Sequence, residues 1–213
     1  MNRTRLTKWV IRPVVFVAAL IPMAWLVRDI FTGNLSPNPI EDLEHRTGLW
    51  GLILLLTTLS VTPLVRFTSW SQLIRLRRPL GLFAFFYVAT HFAIYLGLDQ
   101  LLSFGDIVED VAKRPYITVG FASFVMLIPL ALTSTKKSIK RLGGKRWVRL
   151  HSLVYVAAAG GVLHFLWLVK IDRREPIIYG SALVLLLALR LGRGGKKPAK
   201  ARVRARTESA TSP

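Results

Sequence analysis

Four histidines, His45, His91, His151 and His164, are the residues whose type and placement can do chemistry in this 213-residue chain. All four lie in or beside long apolar stretches. An imidazole in hydrocarbon needs a partner, because an unsatisfied polar group there costs several kcal/mol. His91 sits in the middle of PLGLFAFFYVATHFAIYLGL (79–98), and His164 near the end of HSLVYVAAAGGVLHFLWLV (151–169). If both stretches are helices entering from the same side, His91 lies roughly 18 Å and His164 roughly 20 Å along its helix. Two neutral imidazoles at one depth on two helices can clamp an iron between them, so this pair points to haem ligation. Filling both axial positions suits electron transfer rather than oxygen chemistry. Phe83, Phe86 and Phe165 are available as apolar walls. Ala89, Ala93, Gly160 and Gly161 are small enough for a macrocycle or a neighbouring helix to approach closely. Two other readings stay open for the pair: a proton or ion relay in which the rings titrate, and plain interhelical hydrogen bonding.

His151 begins the same stretch as His164, thirteen positions earlier. On an ideal helix the two are separated by roughly 140°. A kink or bulge at Gly160–Gly161 would be needed to turn them to one side; otherwise they serve different partners. A second, inner haem would use His151 but needs another ligand at that depth, where the third stretch offers Arg77, Arg78 and Pro79. His151 is therefore a candidate ligand for a second haem, or a contact to a propionate or a flavin. Arg77 and Arg78 can pair with haem propionates or a flavin phosphate, or serve simply as charges that orient the chain. His45, in EHRTGLW, reads as an interfacial residue, with a quinone site or a docking surface as the sharper alternative.

The elements that carry these residues are membrane helices. Apolar residues make up 52% of the chain and mean hydropathy is +0.43. They gather into six runs, about 13–30, 48–65, 79–98, 116–134, 149–169 and 176–191, each near the roughly 20 residues that cross a bilayer. The last is short and depends on tilt or on Tyr179 as an interfacial anchor. The first run follows basic residues as a signal peptide would, but no small-residue cleavage site follows it, so it is expected to remain as the first span. With the N-terminus inside, 23 of the 30 Lys/Arg fall in inner segments, and ten of the eleven acids fall outside. The Lys/Arg bias predicts an all-α, six-helix membrane bundle with both termini cytoplasmic. Its transmembrane unit is expected over 1–192, followed by a basic, disordered cytoplasmic tail over 193–213.

Composition also excludes chemistry. The net charge of +19 is explained by topology and by contact with anionic lipid, so nucleic acid is not an expected partner. With no cysteine there is no disulfide, no Cys-held iron–sulfur cluster and no thioether-attached haem. The loop Gly143–Gly144–Lys145 lacks the strand–GxGxxG–helix context of a dinucleotide site, so the chain is not expected to take hydride from a nicotinamide itself. It reads as a conduit for electrons rather than as the site of a substrate's reduction. A proton channel without haem is the rival from another class.

A set of motifs then points to a family. HRTG (45–48), TTLSVTPLVR (57–66), RLRRPLGL (75–82), ATHF (89–92), KRPYITVG (113–120), LALTST (130–135), WVRLHSLVY (147–155) and HFLWLVK (164–170) occur in order. Together they resemble the MsrQ (YedZ) family of haem-binding membrane subunits, over roughly residues 10 to 192. That family stands with the ferric-reductase-like transmembrane domains. The resemblance implies b-type haem held by His91, His151 and His164, one haem and room for a second, with FMN as a further family cofactor for which no motif is present. It implies electrons from the quinone pool or a flavin reductase. They would pass to a periplasmic molybdopterin-containing subunit that reduces methionine sulfoxide in oxidised proteins. It also implies residence in a bacterial inner membrane. A stand-alone ferric or metal reductase is the runner-up.

Overall fold

A computed structural model describes residues 3–191, and all regular structure among them is helical. The expected tail over 193–213 lies outside the described residues. Ten α-helices follow in order: α1 Arg3–Leu6, α2 Arg12–Thr32, α3 Pro39–Thr68, α4 Arg77–Ile94, α5 Phe104–Lys113, α6 Pro115–Leu132, α7 Lys136–Leu142, α8 Gly144–His151, α9 Leu153–Leu168 and α10 Arg174–Leu191. A π-helical turn joins α1 to α2, a 3₁₀ segment (Ser71–Leu76) leads into α4, and a second π turn (Tyr95–Asp99) extends α4 beyond His91. Five continuous helical stretches are long and apolar enough to cross a membrane: Arg3–Thr32, Pro39–Thr68, Ser71–Asp99, Pro115–Leu132 and Gly144–Leu168. The protein is therefore a multi-pass membrane protein. The run expected at 176–191 forms α10, which falls outside those five because Arg174, Glu175 and Arg190 interrupt its apolar length.

Local sequence explains the punctuation. Pro39 and Pro115 open α3 and α6 at positions where a helix has no use for the missing N–H. Gly33 ends α2 in the left-handed conformation (φ 69°), returning its N–H to the Asp29 carbonyl. Pro22 inside α2 is accommodated by a side chain from another helix. The buried Tyr87 hydroxyl accepts from the Met23 N–H (3.0 Å) and donates to the Ala19 carbonyl (2.8 Å), taking the place of the bond those two groups would share.

The bundle is built from two intimate pairs, α3 on α4 and α6 on α9, set side by side. Leu52, Leu55, Leu59, Ala84, Tyr87, Leu127, Ala157 and Ala158 form the buried seam. Small residues bring the second pair close: a Cβ on Gly160 would collide with the Ser123 hydroxyl. The outer faces are as apolar as the seam. Val17, Trp25, Val184 and Leu185 are exposed, the pattern of a surface solvated by acyl chains rather than water. At one end of the bundle, Asp29 bridges Arg28 (2.8 Å) and Arg46 (2.7 Å), and Arg46 also reaches Asp42 (2.8 Å), tying α2 to α3.

Candidate functional site

The two pairs hold one histidine each at the same level. His91 projects from α4 and His164 from α9, with ring centres 6.3 Å apart and planes at 73°. A metal–imidazole bond of about 2 Å plus about 1 Å from nitrogen to ring centre puts two rings on opposite sides of one ion about 6 Å apart. Each ring is held from behind by a backbone carbonyl. His91 Nδ1 lies 2.9 Å from the Glu44 oxygen, and His164 Nδ1 lies 2.7 Å from the Tyr116 oxygen. A carbonyl only accepts, so each Nδ1 carries the proton and donates it, which leaves the Nε2 lone pair available to a metal. Hydrogen bonding at both rings is confined to Nδ1 among the described residues.

Glycine makes that support possible. A Cβ at position 48 would stand 3.2 Å from His91 Nδ1, and one at position 120 only 2.7 Å from His164 Nδ1. The Nδ1 edge of each imidazole thus lies close against the backbone of the neighbouring helix, α3 or α6, an approach that the missing side chain of glycine favours.

Between the pairs lies a cavity of about 1340 Å³, larger than the few hundred to a thousand cubic ångströms of ordinary ligand sites. Both histidines line it, with Leu52, Leu55, Val88, Phe124, Gly161 and Phe165 as apolar walls. Its mouth carries Glu41, Glu44, His45, Asp99, Asp110, Arg114 and Lys170. Helix α5 contributes Phe104, Ile107 and Val108 to the lining. Asp110 fastens it there, accepting from the Tyr95 hydroxyl (3.1 Å) and from Arg114 Nε (2.9 Å). The donor set, the apolar walls and the volume fit a haem held by the two imidazoles.

The other candidate residues lie elsewhere. His151 does not line this cavity. Its Nε2 is 3.0 Å from the Thr133 hydroxyl, and its ring stacks on Trp147 at 3.9 Å. The glycine pair does not turn the helix: α9 runs unbroken through Gly160 and Gly161, and the interruption falls at Ser152, right after His151. Arg77 and Arg78, at the start of α4, are also absent from the cavity lining. Phe83 and Phe86 lie outside it too, whereas Phe165 is within. His45 does line it, with Nε2 3.9 Å from a Glu175 carboxylate oxygen on α10 and its ring 5.8 Å from that of Phe165. Sequence reasoning passed over Gly48, Gly120 and the contribution of α5 to the cavity wall. The two glycines close the motifs HRTG and KRPYITVG, which was the available signal.

A protein-family model described as ferric reductase like transmembrane component matches residues 47–162. The chain is also similar to three proteins named protein-methionine-sulfoxide reductase heme-binding subunit MsrQ. The one from Herminiimonas arsenicoxydans is 50% identical over 183 residues, covering 85% of this chain and 84% of the relative. The one from Rhodospirillum rubrum is 51% identical over 180 residues (84% and 86%), and that from Caulobacter vibrioides 44% over 186 residues (87% and 89%).

Proposed function

The chain belongs to the MsrQ family of ferric-reductase-like membrane subunits, and from that premise we propose that it is a membrane cytochrome b serving a methionine sulfoxide reductase. The observation that carries the reading is the facing pair His91 and His164, with ring centres 6.3 Å apart and each Nδ1 committed to a carbonyl, which leaves Nε2 free of any hydrogen bond among the described residues. A b-type haem held there by His91 and His164 would supply a one-electron couple. The protein's own contribution is positional. The Glu44 and Tyr116 carbonyls hold both imidazoles in one tautomer and raise their basicity. The apolar walls exclude water, and the charged mouth lies where a soluble partner can approach. A titrating relay accords poorly with two Nδ1 protons already engaged.

The bundle would cross the inner membrane six times, with α10 as the last span and both termini cytoplasmic. The cavity mouth then opens to the periplasm, because Glu41, Asp99, Asp110 and Lys170 all belong to outer segments. Electrons would arrive from the quinone pool or a flavin reductase and leave to a periplasmic molybdopterin-containing catalytic subunit. His151, at the inner end, would serve a second haem only with a partner other than a histidine. FMN enters solely through the family. The description of the matching family model supports a second reading, reduction of ferric ions at the outer face without a catalytic partner.

The test is spectroscopic. Oxidised and dithionite-reduced spectra of the purified protein, with pyridine haemochrome quantitation, are compared for wild type, His91→Ala, His164→Ala and His151→Ala. Loss of one low-spin signal in both of the first two supports the pair, and partial loss in His151→Ala reveals a second haem. A folded wild type that binds no haem despite adequate supply sinks the reading. Ferric chelate reduction without the catalytic partner separates the two redox functions.

A further inference from the structure

At the end of the bundle away from the haem cavity, three arginines from three helices converge: Arg66 of α3, Arg77 of α4 and Arg190 of α10. Arg77 and Arg66 both lie within electrostatic range of Arg190, and Arg77 is also within range of His151. The cluster holds itself together through neutral groups. Arg190 Nη2 donates to the Thr62 hydroxyl (2.6 Å) and its guanidinium lies 4.9 Å from the centre of the Tyr155 ring. Arg66 Nη1 donates to the carbonyls of Leu189 (3.5 Å) and Arg190 (3.2 Å). No salt bridge joins any of the three to a carboxylate among the described residues. Among the described residues, three of their donors are buried with no acceptor: Arg77 Nε, Arg190 Nε and Arg190 Nη1. Convergent positive charge with orphaned guanidinium N–H groups is costly unless an anion completes it.

We propose that Arg66, Arg77 and Arg190 form a binding site for a phosphate group, and that the phosphate belongs to an anionic phospholipid of the surrounding leaflet. Guanidinium forks match phosphate oxygens in geometry, and each such bond is charge-assisted. The lipid source follows from position. Arg66 stands near the end of α3 and Arg190 near the end of α10, where headgroups lie in a spanning bundle. Toward the interior of the same helices, Leu64 and Leu185 are exposed and offer apolar surface to acyl chains. Basic pockets between membrane helices are suited to such headgroups. The inference rests on the reading of these helices as membrane-spanning and is independent of the haem.

Delipidated full-length protein is titrated with phosphatidylglycerol, phosphatidylcholine, FMN and inorganic phosphate, with retained molecules counted by native mass spectrometry and melting followed in parallel. The expected result is selective retention of phosphatidylglycerol with a raised melting temperature. The double variant Arg77→Gln/Arg190→Gln should weaken that retention about tenfold or more, while the exposed control Arg141→Gln on α7 keeps it. If the double variant does not fold, Arg66→Gln serves in its place. Equal retention of both lipids, or of neither, overturns the proposal. Capture of FMN or free phosphate in place of lipid overturns the lipid source. A second haem occupying the cluster through its propionates overturns the phosphate. The Soret band of the same samples reports on the electron-transfer reading separately: lipid selectivity with no haem would fail that reading alone, and a normal haem without lipid selectivity would fail this one alone.

Discussion

Each of the two facing imidazoles is only as fixed as the backbone it rests on, so the glycines opposite the rings grade the consequences of adding one methyl group. At Gly120 a Cβ would press to 2.7 Å of His164 Nδ1 and 3.0 Å of Cε1, with the ring trapped between α6 and its own helix. Gly120→Ala is expected to break the bond to the Tyr116 carbonyl and lower haem retention about tenfold or more, as loss of outer-shell support commonly does at metal sites. Gly48→Ala, at 3.2 Å from His91 Nδ1, should shift the low-spin spectrum with a smaller loss. Gly161→Ala, whose nearest neighbour is Leu52 Cδ1 at 3.8 Å, should be close to wild type. Haem-to-protein ratios and reduced spectra of the three variants check the order, and a Gly161→Ala loss equal to that of Gly120→Ala would contradict it. The meeting of His91 and His164 was legible in the sequence, because depth along a helix follows from residue number at a fixed rise. The orientation of the rings was not. Their partners are main-chain oxygens of Glu44 and Tyr116, and every residue type carries a carbonyl.

Among the helices, the length of the apolar runs located five spans, and of the two readings open for His151 and His164 the structure takes the one in which they serve different partners. The kink that would have turned both histidines to one side is not formed at Gly160 and Gly161, which sit inside a continuous α9 and serve close packing against α6 and α3. Glycine in a membrane helix has two uses, flexibility and proximity, and the sequence alone does not distinguish them. The opposite holds for Pro22. Its cost to α2 is met from another element, because the Tyr87 hydroxyl is inserted between Ala19 and Met23. Tyr87→Phe keeps the ring in the seam but leaves the Met23 N–H and the Ala19 carbonyl unpaired in an apolar setting. The expected cost is about 1–3 kcal/mol, visible as a lower denaturation midpoint in detergent with the haem spectrum unchanged. A variant as stable as wild type would mean that α2 closes its own hydrogen bond once the hydroxyl is removed.

For the whole molecule the decisive quantity is the number of crossings, because it fixes which side the C-terminal tail faces relative to the cavity mouth. Five stretches meet the length and apolarity of a span without help, and α10 does not. Its 18 residues equal the length of α6, so the three charges Arg174, Glu175 and Arg190, and not its length, set it apart. Its charges nevertheless stand near its ends, with Arg174 and Glu175 at one and Arg190 at the other, where they can reach the interfaces without entering the interior. Arg190 is also satisfied in part by Thr62 of α3, which holds the end of α10 beside a helix that does cross. An even count puts the tail on the same side as the basic loop between α6 and α8, whereas an odd count would put it beside the acidic mouth of the cavity. The absence of native cysteine makes the question directly measurable. Single cysteines are introduced as Ser36→Cys, Ser138→Cys and Ser209→Cys and exposed to an impermeant maleimide. Six crossings with cytoplasmic termini require Ser36→Cys to react in spheroplasts, and Ser138→Cys and Ser209→Cys to react only after the membrane is opened. Reaction of Ser209→Cys from outside would make α10 a helix lying at the surface, reverse the expected side of the C-terminus and leave five spans to carry the electron path.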